Sequence, residues 1–245
     1  MNRYWPAALM LAIAALSRSA TATAQTSEAA PYGSPVADET VWLHAVLDQL
    51  EGRFGAGDAL RWEAEAWTGT DTDRLWLKTE GELENRKVFD GHQEAFFDTP
   101  LSAWFDLQAG LRYDLDSQPG RLWAAAGIEG LSQYFFHISA TAYASDTGRY
   151  AAKLFATYDL LLTQRLILQP EAEVNIYSKS DPARLVTSGV SDLDTGLRLR
   201  YEITRKFAPY IGVAYERRFA APPTLAAIGE PHGQLRFAAG IRSWF

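Results

Sequence analysis

Gln234-Leu-Arg-Phe-Ala-Ala-Gly-Ile-Arg-Ser-Trp-Phe245 is the stretch that decides the fold. Leu235, Phe237, Ala239, Ile241, Ser243 and Phe245 fall on one face of a period-two pattern. Arg236, Ala238, Gly240, Arg242 and Trp244 fall on the other. That period belongs to a strand whose two faces meet different surroundings. A single such strand also fits a soluble sandwich, so its weight rests on whether the pattern recurs.

It does recur. Leu60, Trp62, Ala64 and Ala66 alternate with Arg61, Glu63, Glu65 and Trp67. Phe105, Leu107, Ala109, Leu111 and Tyr113 alternate with Asp106, Gln108, Gly110, Arg112 and Asp114. Leu168, Pro170, Ala172, Val174 and Ile176 oppose Gln169, Glu171, Glu173 and Asn175. Leu193, Leu197, Leu199, Tyr201 and Ile203 oppose Asp192, Asp194, Arg198, Arg200 and Glu202. These runs reach about ten residues, the length of a tilted membrane-spanning strand, whereas sandwich strands average about five or six.

The pattern predicts twelve strands, at 44–54, 59–69, 73–84, 86–98, 104–115, 121–130, 133–145, 148–162, 164–178, 188–203, 207–219 and 234–245. The fold expected is all-β, a closed antiparallel transmembrane barrel, because an unpaired strand edge cannot be solvated in lipid. An even strand count puts both barrel ends in the periplasm. Gly-Ala-Gly-Asp at 55–58, Ser-Gln-Pro-Gly at 117–120 and Asp-Thr-Gly at 146–148 are turn sequences. Leu131-Ser132, Thr163-Gln164 and Thr204-Arg205 read as tight connections, and the longest connections, 179–187 and 220–233, fall on the outer side. The terminal strand with its closing aromatic residue resembles the C-terminal assembly signal of outer-membrane barrels. Phe245→Ser is therefore expected to lower the amount of barrel in the outer membrane, and unchanged outer-membrane levels on a blot would refute this.

Residues 1–24 read as a signal peptide, with Arg3 in a basic start, an apolar run from Ala7 to Leu16, and Ala22-Thr-Ala24 as the cleavage site. The run is too short to span a bilayer as a helix, which needs about 20 residues. Residues 25–43, rich in Ala, Ser, Pro and acids, read as a short disordered periplasmic lead-in to a barrel at 44–245. Cleavage removes Arg3 and Arg18 and leaves a net charge of about −9, which argues against nucleic acid as a partner. The chain has no cysteine, which excludes thiolate metal sites and thiol catalysis. Charged residues make up 22% and no apolar window is long enough for a membrane helix, while eight Trp and eleven Tyr suit the aromatic girdles of a barrel.

Several stretches carry a family resemblance. They are Glu63-Ala-Glu-Ala-Trp67 with Thr70-Asp-Thr-Asp-Arg-Leu-Trp-Leu-Lys-Thr-Glu-Gly81, and Trp104-Phe-Asp-Leu-Gln-Ala-Gly110. Tyr158-Asp-Leu-Leu-Leu-Thr-Gln-Arg-Leu-Ile-Leu-Gln-Pro170 and Glu173-Val-Asn175 continue the series. Gly196-Leu-Arg-Leu-Arg-Tyr-Glu202, Phe207-Ala-Pro-Tyr-Ile-Gly-Val213 and Glu216-Arg-Arg-Phe219 complete it. Together they resemble the copper resistance protein B family of Gram-negative outer membranes. The resemblance implies an outer-membrane protein that helps a cell tolerate copper beside a periplasmic multicopper oxidase. It also implies a Met- and His-rich segment ahead of the barrel, and here this chain departs. Its two methionines, Met1 and Met10, both lie in the expected signal peptide, and the lead-in to the barrel offers only His44.

Soft Cu(I) prefers sulfur ligands, so Cu(II) held by imidazole and carboxylate is the form expected here. His92 and Glu94 share a parity that sends both inward, and His137 lies on the face of Phe135, Ser139, Thr141 and Tyr143, the predicted lumen. His92, Glu94 and His137 are the candidate metal ligands; the alternative is an ordinary hydrogen-bonded lumen network. His232 reads as a loop residue. Copper binding is expected to weaken as pH falls through about 6.5, because protonated imidazole cannot ligate. The inward face also carries Arg61, Glu63, Glu65, Lys78, Glu80, Glu82, Glu171, Glu173, Asp192, Asp194, Arg198 and Arg200, either as structural ion pairs or as a cation path. An esterase has little support, since no Gly-x-Ser-x-Gly is present and His137 and Ser139 pair only loosely. A general porin-like channel without specific copper binding is the alternative function.

Overall fold

Thirteen strands form one antiparallel sheet that closes on itself in the computed structural model, which describes residues 40–55, 57–84, 86–115, 120–219 and 232–245. They are β1 (Trp42–Phe54), β2 (Ala59–Gly69), β3 (Arg74–Glu84), β4 (Lys87–Pro100), β5 (Phe105–Asp114), β6 (Leu122–Leu131) and β7 (His137–Ser145). Then come β8 (Tyr150–Thr157), β9 (Leu160–Leu161), β10 (Leu166–Tyr177), β11 (Gly189–Tyr201), β12 (Phe207–Arg218) and β13 (Gly233–Trp244). Successive strands pair, except that β8 and β9 both pair with β10, and β13 pairs with β1, so the sheet closes. Both β8 and β9 pair with β10 and form one stave, which makes a barrel of twelve staves. The break between them lies opposite Pro170, which has no N–H to give to the ladder. Its carbonyl still accepts from Tyr158 N at 3.1 Å and Thr157 Oγ1 at 3.1 Å.

All twelve expected strands are present, most within two residues of their expected ends. The largest difference is β7, expected from 133 and found from His137. Tyr134 and Phe135 both adopt a φ of 64° and wind Gln133–Phe135 into a 3-10 turn closed by Ser132 N donating to Phe136 O at 2.8 Å. Phe135, expected on the lumen face, is a turn residue and is exposed. The expected signal peptide at 1–24, residues 25–39 of the expected lead-in, 117–119 and most of the 220–233 connection lie outside the described residues; Trp42 and Leu43 are already strand.

The sequence's two faces become the two sides of the wall. Leu75, Leu77, Phe97, Leu107, Leu111, Ile211, Leu235 and Phe237 are exposed on the outside, where lipid replaces water. Glu51, Arg53, Asp98, Asp114 and Arg198 are buried inside. This inversion of a soluble protein, with an apolar exterior and closed ladder, places the barrel in an outer membrane. The connections at 70–73, 101–104, 132–136, 162–165 and 202–206 share an end with both barrel termini, which is the periplasmic end. At the first of them Thr70 N donates to Asp73 O at 2.9 Å. A side chain at Gly69, whose φ is +154°, would meet Asp73 O at 2.1 Å.

Because most buried charges are held in ion pairs with one another and the ladder is closed, the barrel is expected to refold into detergent with a chelator present. Metal-dependent β-content in circular dichroism, or metal-dependent heat-modifiable migration, would contradict this.

Candidate functional site

The outer half of the lumen is filled by side chains. On one side of the wall Glu51, fully buried, accepts from Arg53 Nε at 2.8 Å, Arg198 Nε at 2.8 Å, Arg198 Nη2 at 2.9 Å and Tyr210 Oη at 3.0 Å. Arg53 Nη1 reaches Glu82 at 3.1 Å and Asp194 at 3.0 Å, Arg236 pairs with Glu82 and with Glu84 at 3.1 Å, and Arg198 also pairs with Glu171. On the other side Trp123 packs against Tyr143 and Phe96, which also line the inner cavity. Trp123 Nε1 donates to Asp114 at 2.7 Å. Beside these groups a pocket lined by Glu82, Asp194, Arg61, Arg112, Asp192 and Glu216, among others, holds about 20 Å³, roughly one water.

The inner half is open. A cavity of about 330 Å³ is lined by His92, Glu94, Glu129, His137, Lys78 and Lys153, among others. It also carries Asp48, Glu63, Glu65, Glu80, Asp159 and Glu171, against a single arginine, Arg242. Carboxylates outnumber fixed cations on this wall, which favours cations within it. Lys78 pairs with Glu129, and Lys153 Nζ lies 2.6 Å from Glu80 and 3.2 Å from Glu173.

All three candidate ligands line this cavity. His92 owes its direction to a bulge: Glu80 opposes His92 and Glu82 opposes Phe89, so Asp90 and Gly91 together face the single Gly81 and β4 carries one extra residue. Asp90 takes a φ of 48° there, which a short polar side chain tolerates. The Asp90 carbonyl lies 3.1 Å from His92 Nδ1, leaving Nε2 as the nitrogen turned toward carboxylates. Nε2 is 3.3 Å from Glu80 Oε1 and 3.7 Å from Glu94 Oε1. Glu94 also accepts from Tyr143 Oη at 2.7 Å. His137 begins β7 and is more open, its side chain 41% exposed, with Nε2 at 3.3 Å from Glu129 Oε1. The structure therefore brings His92 and Glu94 together, while His137 pairs with a different carboxylate. Among the described residues no three His, Cys, Asp or Glu side chains form a group that could hold a metal ion. His44 stands apart at the periplasmic rim, flanked by the tilted rings of Trp67 at 5.9 Å and Trp244 at 5.6 Å.

Glu129 and Lys153 were not picked out from sequence. β6 reads Leu-Trp-Ala-Ala-Ala-Gly-Ile-Glu, so its inward face shows one charge among small residues. Parity with Trp123 was the only signal for Glu129, and parity with Phe155 and Thr157 the only one for Lys153. Most residues marked inward by parity are found in ion pairs, including Arg61, Glu80, Glu82, Asp194 and Arg200.

A family model described as "Copper resistance protein B precursor (CopB)" matches residues 41–245. Copper resistance protein B of Escherichia coli is 41% identical over 215 residues, spanning 87% of this chain and 73% of that protein. A copper resistance protein B homolog of Pseudomonas syringae pv. tomato shows the same identity over the same shares. Among solved structures the NanC porin matches with a TM-score of 0.54 at 11% identity, covering 82% of this chain and 99% of that one, a likeness of fold alone. With the match running through every stave of the barrel, the chain belongs to the copper resistance protein B family.

Proposed function

We propose that this protein supports copper resistance by holding copper ions in the inner half of its lumen, at the outer membrane, without enzymatic chemistry. The observation that carries this reading is the family match across the whole barrel, joined to a cavity lined by two histidines and an excess of carboxylates. Residues 40–245 contain neither Met nor Cys, so imidazole and carboxylate are the ligands on offer and Cu(II) is the preferred ion. His92, Glu94 and His137 are the ligands proposed, with His92 offering Nε2. Both histidines line one cavity, and carboxylates stand within 4 Å of each. A periplasmic multicopper oxidase is the proposed partner on the side where the cavity opens. Residues 1–24 serve as the export signal in this reading.

A general porin is the second reading, and the barrel's likeness to the NanC porin speaks for it. The filled outer half supports copper holding over free passage. A deletion strain should lose copper tolerance and regain it with the wild-type gene but not with His92→Ala/His137→Ala. Unchanged copper tolerance together with reduced uptake of unrelated solutes would favour the porin instead.

A further inference from the structure

We propose that the lumen is a blind pocket, reached from the periplasmic end and sealed at the outer end by the β10–β11 connection strapped across the mouth. This connection, 178–188, contains a 3-10 turn at Pro182–Arg184 and is pinched at its base by an Asp181–Val186 bridge. Its residues reach far around the wall. Arg184 Nη1 donates to Asp114 Oδ2 at 2.9 Å, and Asp114 closes β5, four staves from β10. Arg121, just before β6, donates to Asp181 Oδ2 at 2.9 Å, and Arg149, just before β8, donates to Ser180 O at 3.3 Å. Three anchors on two neighbouring hairpins, β5–β6 and β7–β8, draw the connection inward from its own hairpin across the opening.

The strap is also packed from below. Leu185 and Val186 are buried although they belong to an outer loop, and Thr187 N donates to the buried Ser191 Oγ at 3.2 Å. Asp114 is shared by Arg112 Nε at 2.9 Å, Trp123 Nε1 and Arg184, so the strap is wired into the side chains that fill the outer half. The inner cavity holds about 330 Å³, whereas the pocket that continues outward past Glu80 and His92 to Asp192 and Glu216 holds about 20 Å³. An ion that enters the cavity therefore leaves by the way it came. The inference holds whatever cation the cavity takes, and its test contains no copper.

The test uses the full barrel purified from outer membranes. In planar bilayers with potassium chloride, the wild type should show no steady conductance above the lipid background. Because the chain lacks cysteine, single thiols report on access. A Ser139→Cys thiol in the cavity should react quickly with a charged thiol reagent. A Ser191→Cys thiol beneath the strap should react at least about tenfold more slowly, since reaction there waits on local opening. Adding Asp181→Asn and Arg184→Gln should erase most of that difference, with heat-modifiable migration confirming that the barrel is folded. Steady wild-type conductance, or equal reactivity of the two thiols, would overturn the blind pocket. Continued protection of Ser191→Cys in the folded strap variant would overturn the role of the strap.

Discussion

Arg198→Ala is expected to destabilise the barrel by about 3–5 kcal/mol, the cost typical of removing one partner from a buried ion pair. Arg198 is 2% exposed, makes two hydrogen bonds to the fully buried Glu51, reaches Gln49 Oε1 at 3.0 Å and pairs with Glu171. Its loss leaves Glu51, fully buried, and Glu171 short of a cation. Arg242→Ala is the contrast. Its pair with Asp48 is also 2.8 Å long, but both side chains are about 30% exposed beside the open cavity. Water can replace that partner, so the cost should stay below about 1 kcal/mol. Urea unfolding in detergent, followed by tryptophan fluorescence, reads both. Equal midpoints for the two variants would mean that the outer half is not the packed layer described above.

The double variant His92→Ala/His137→Ala is expected to weaken Cu(II) binding by at least about tenfold, as loss of groups at a metal site commonly does. The two histidines face different carboxylates, His92 toward Glu80 and His137 toward Glu129, so the single variants carry information of their own. If one ion bridges both, each single variant should lose most of the affinity. If each histidine holds its own ion, each should lower the stoichiometry and leave the remaining affinity nearly intact. Titration against a competing chelator separates these outcomes. Equal affinity and stoichiometry in wild type and double variant would remove both residues from the site and shift attention to the carboxylate wall at Glu63 and Glu65.

Parity made most of the wall legible before any coordinates. Once a strand such as β11 alternates Leu193, Leu197 and Leu199 with Asp194, Arg198 and Arg200, burying either face decides the other. Parity failed where the backbone leaves period two. β1 carries a register shift after Leu47, so Glu51 and Arg53, the centre of the buried network, were not marked as inward. β7 begins after a turn with two left-handed residues, which took Phe135 off the lumen face. The bulge at Asp90 and Gly91 also breaks parity, since its one extra residue puts Phe89 and His92 on the same face, but His92 and Glu94 both lie after it and still point inward together.

The division of the lumen had no counterpart in the sequence pattern. Charges of both signs are expected inside, and ion pairs form in both halves, with carboxylates left in excess on the inner wall. Arginines dominate the outer half because their forked donors can serve several carboxylates at once, as Arg53 and Arg198 do. The inner wall has two lysines, one arginine and many more carboxylates, so it remains hydrated and acidic. Which charges meet depends on strands far apart in the chain, such as Arg198 with Glu51, and no local spacing encodes that meeting.

Parallel titrations of the purified barrel with Cu(II) and with Cu(I) test the central claim most directly. With no sulfur ligand in residues 40–245, Cu(II) should bind saturably and more tightly than Cu(I), and lose affinity in the His92→Ala/His137→Ala variant. Tighter binding of Cu(I), or no saturable binding of either ion, would contradict the account.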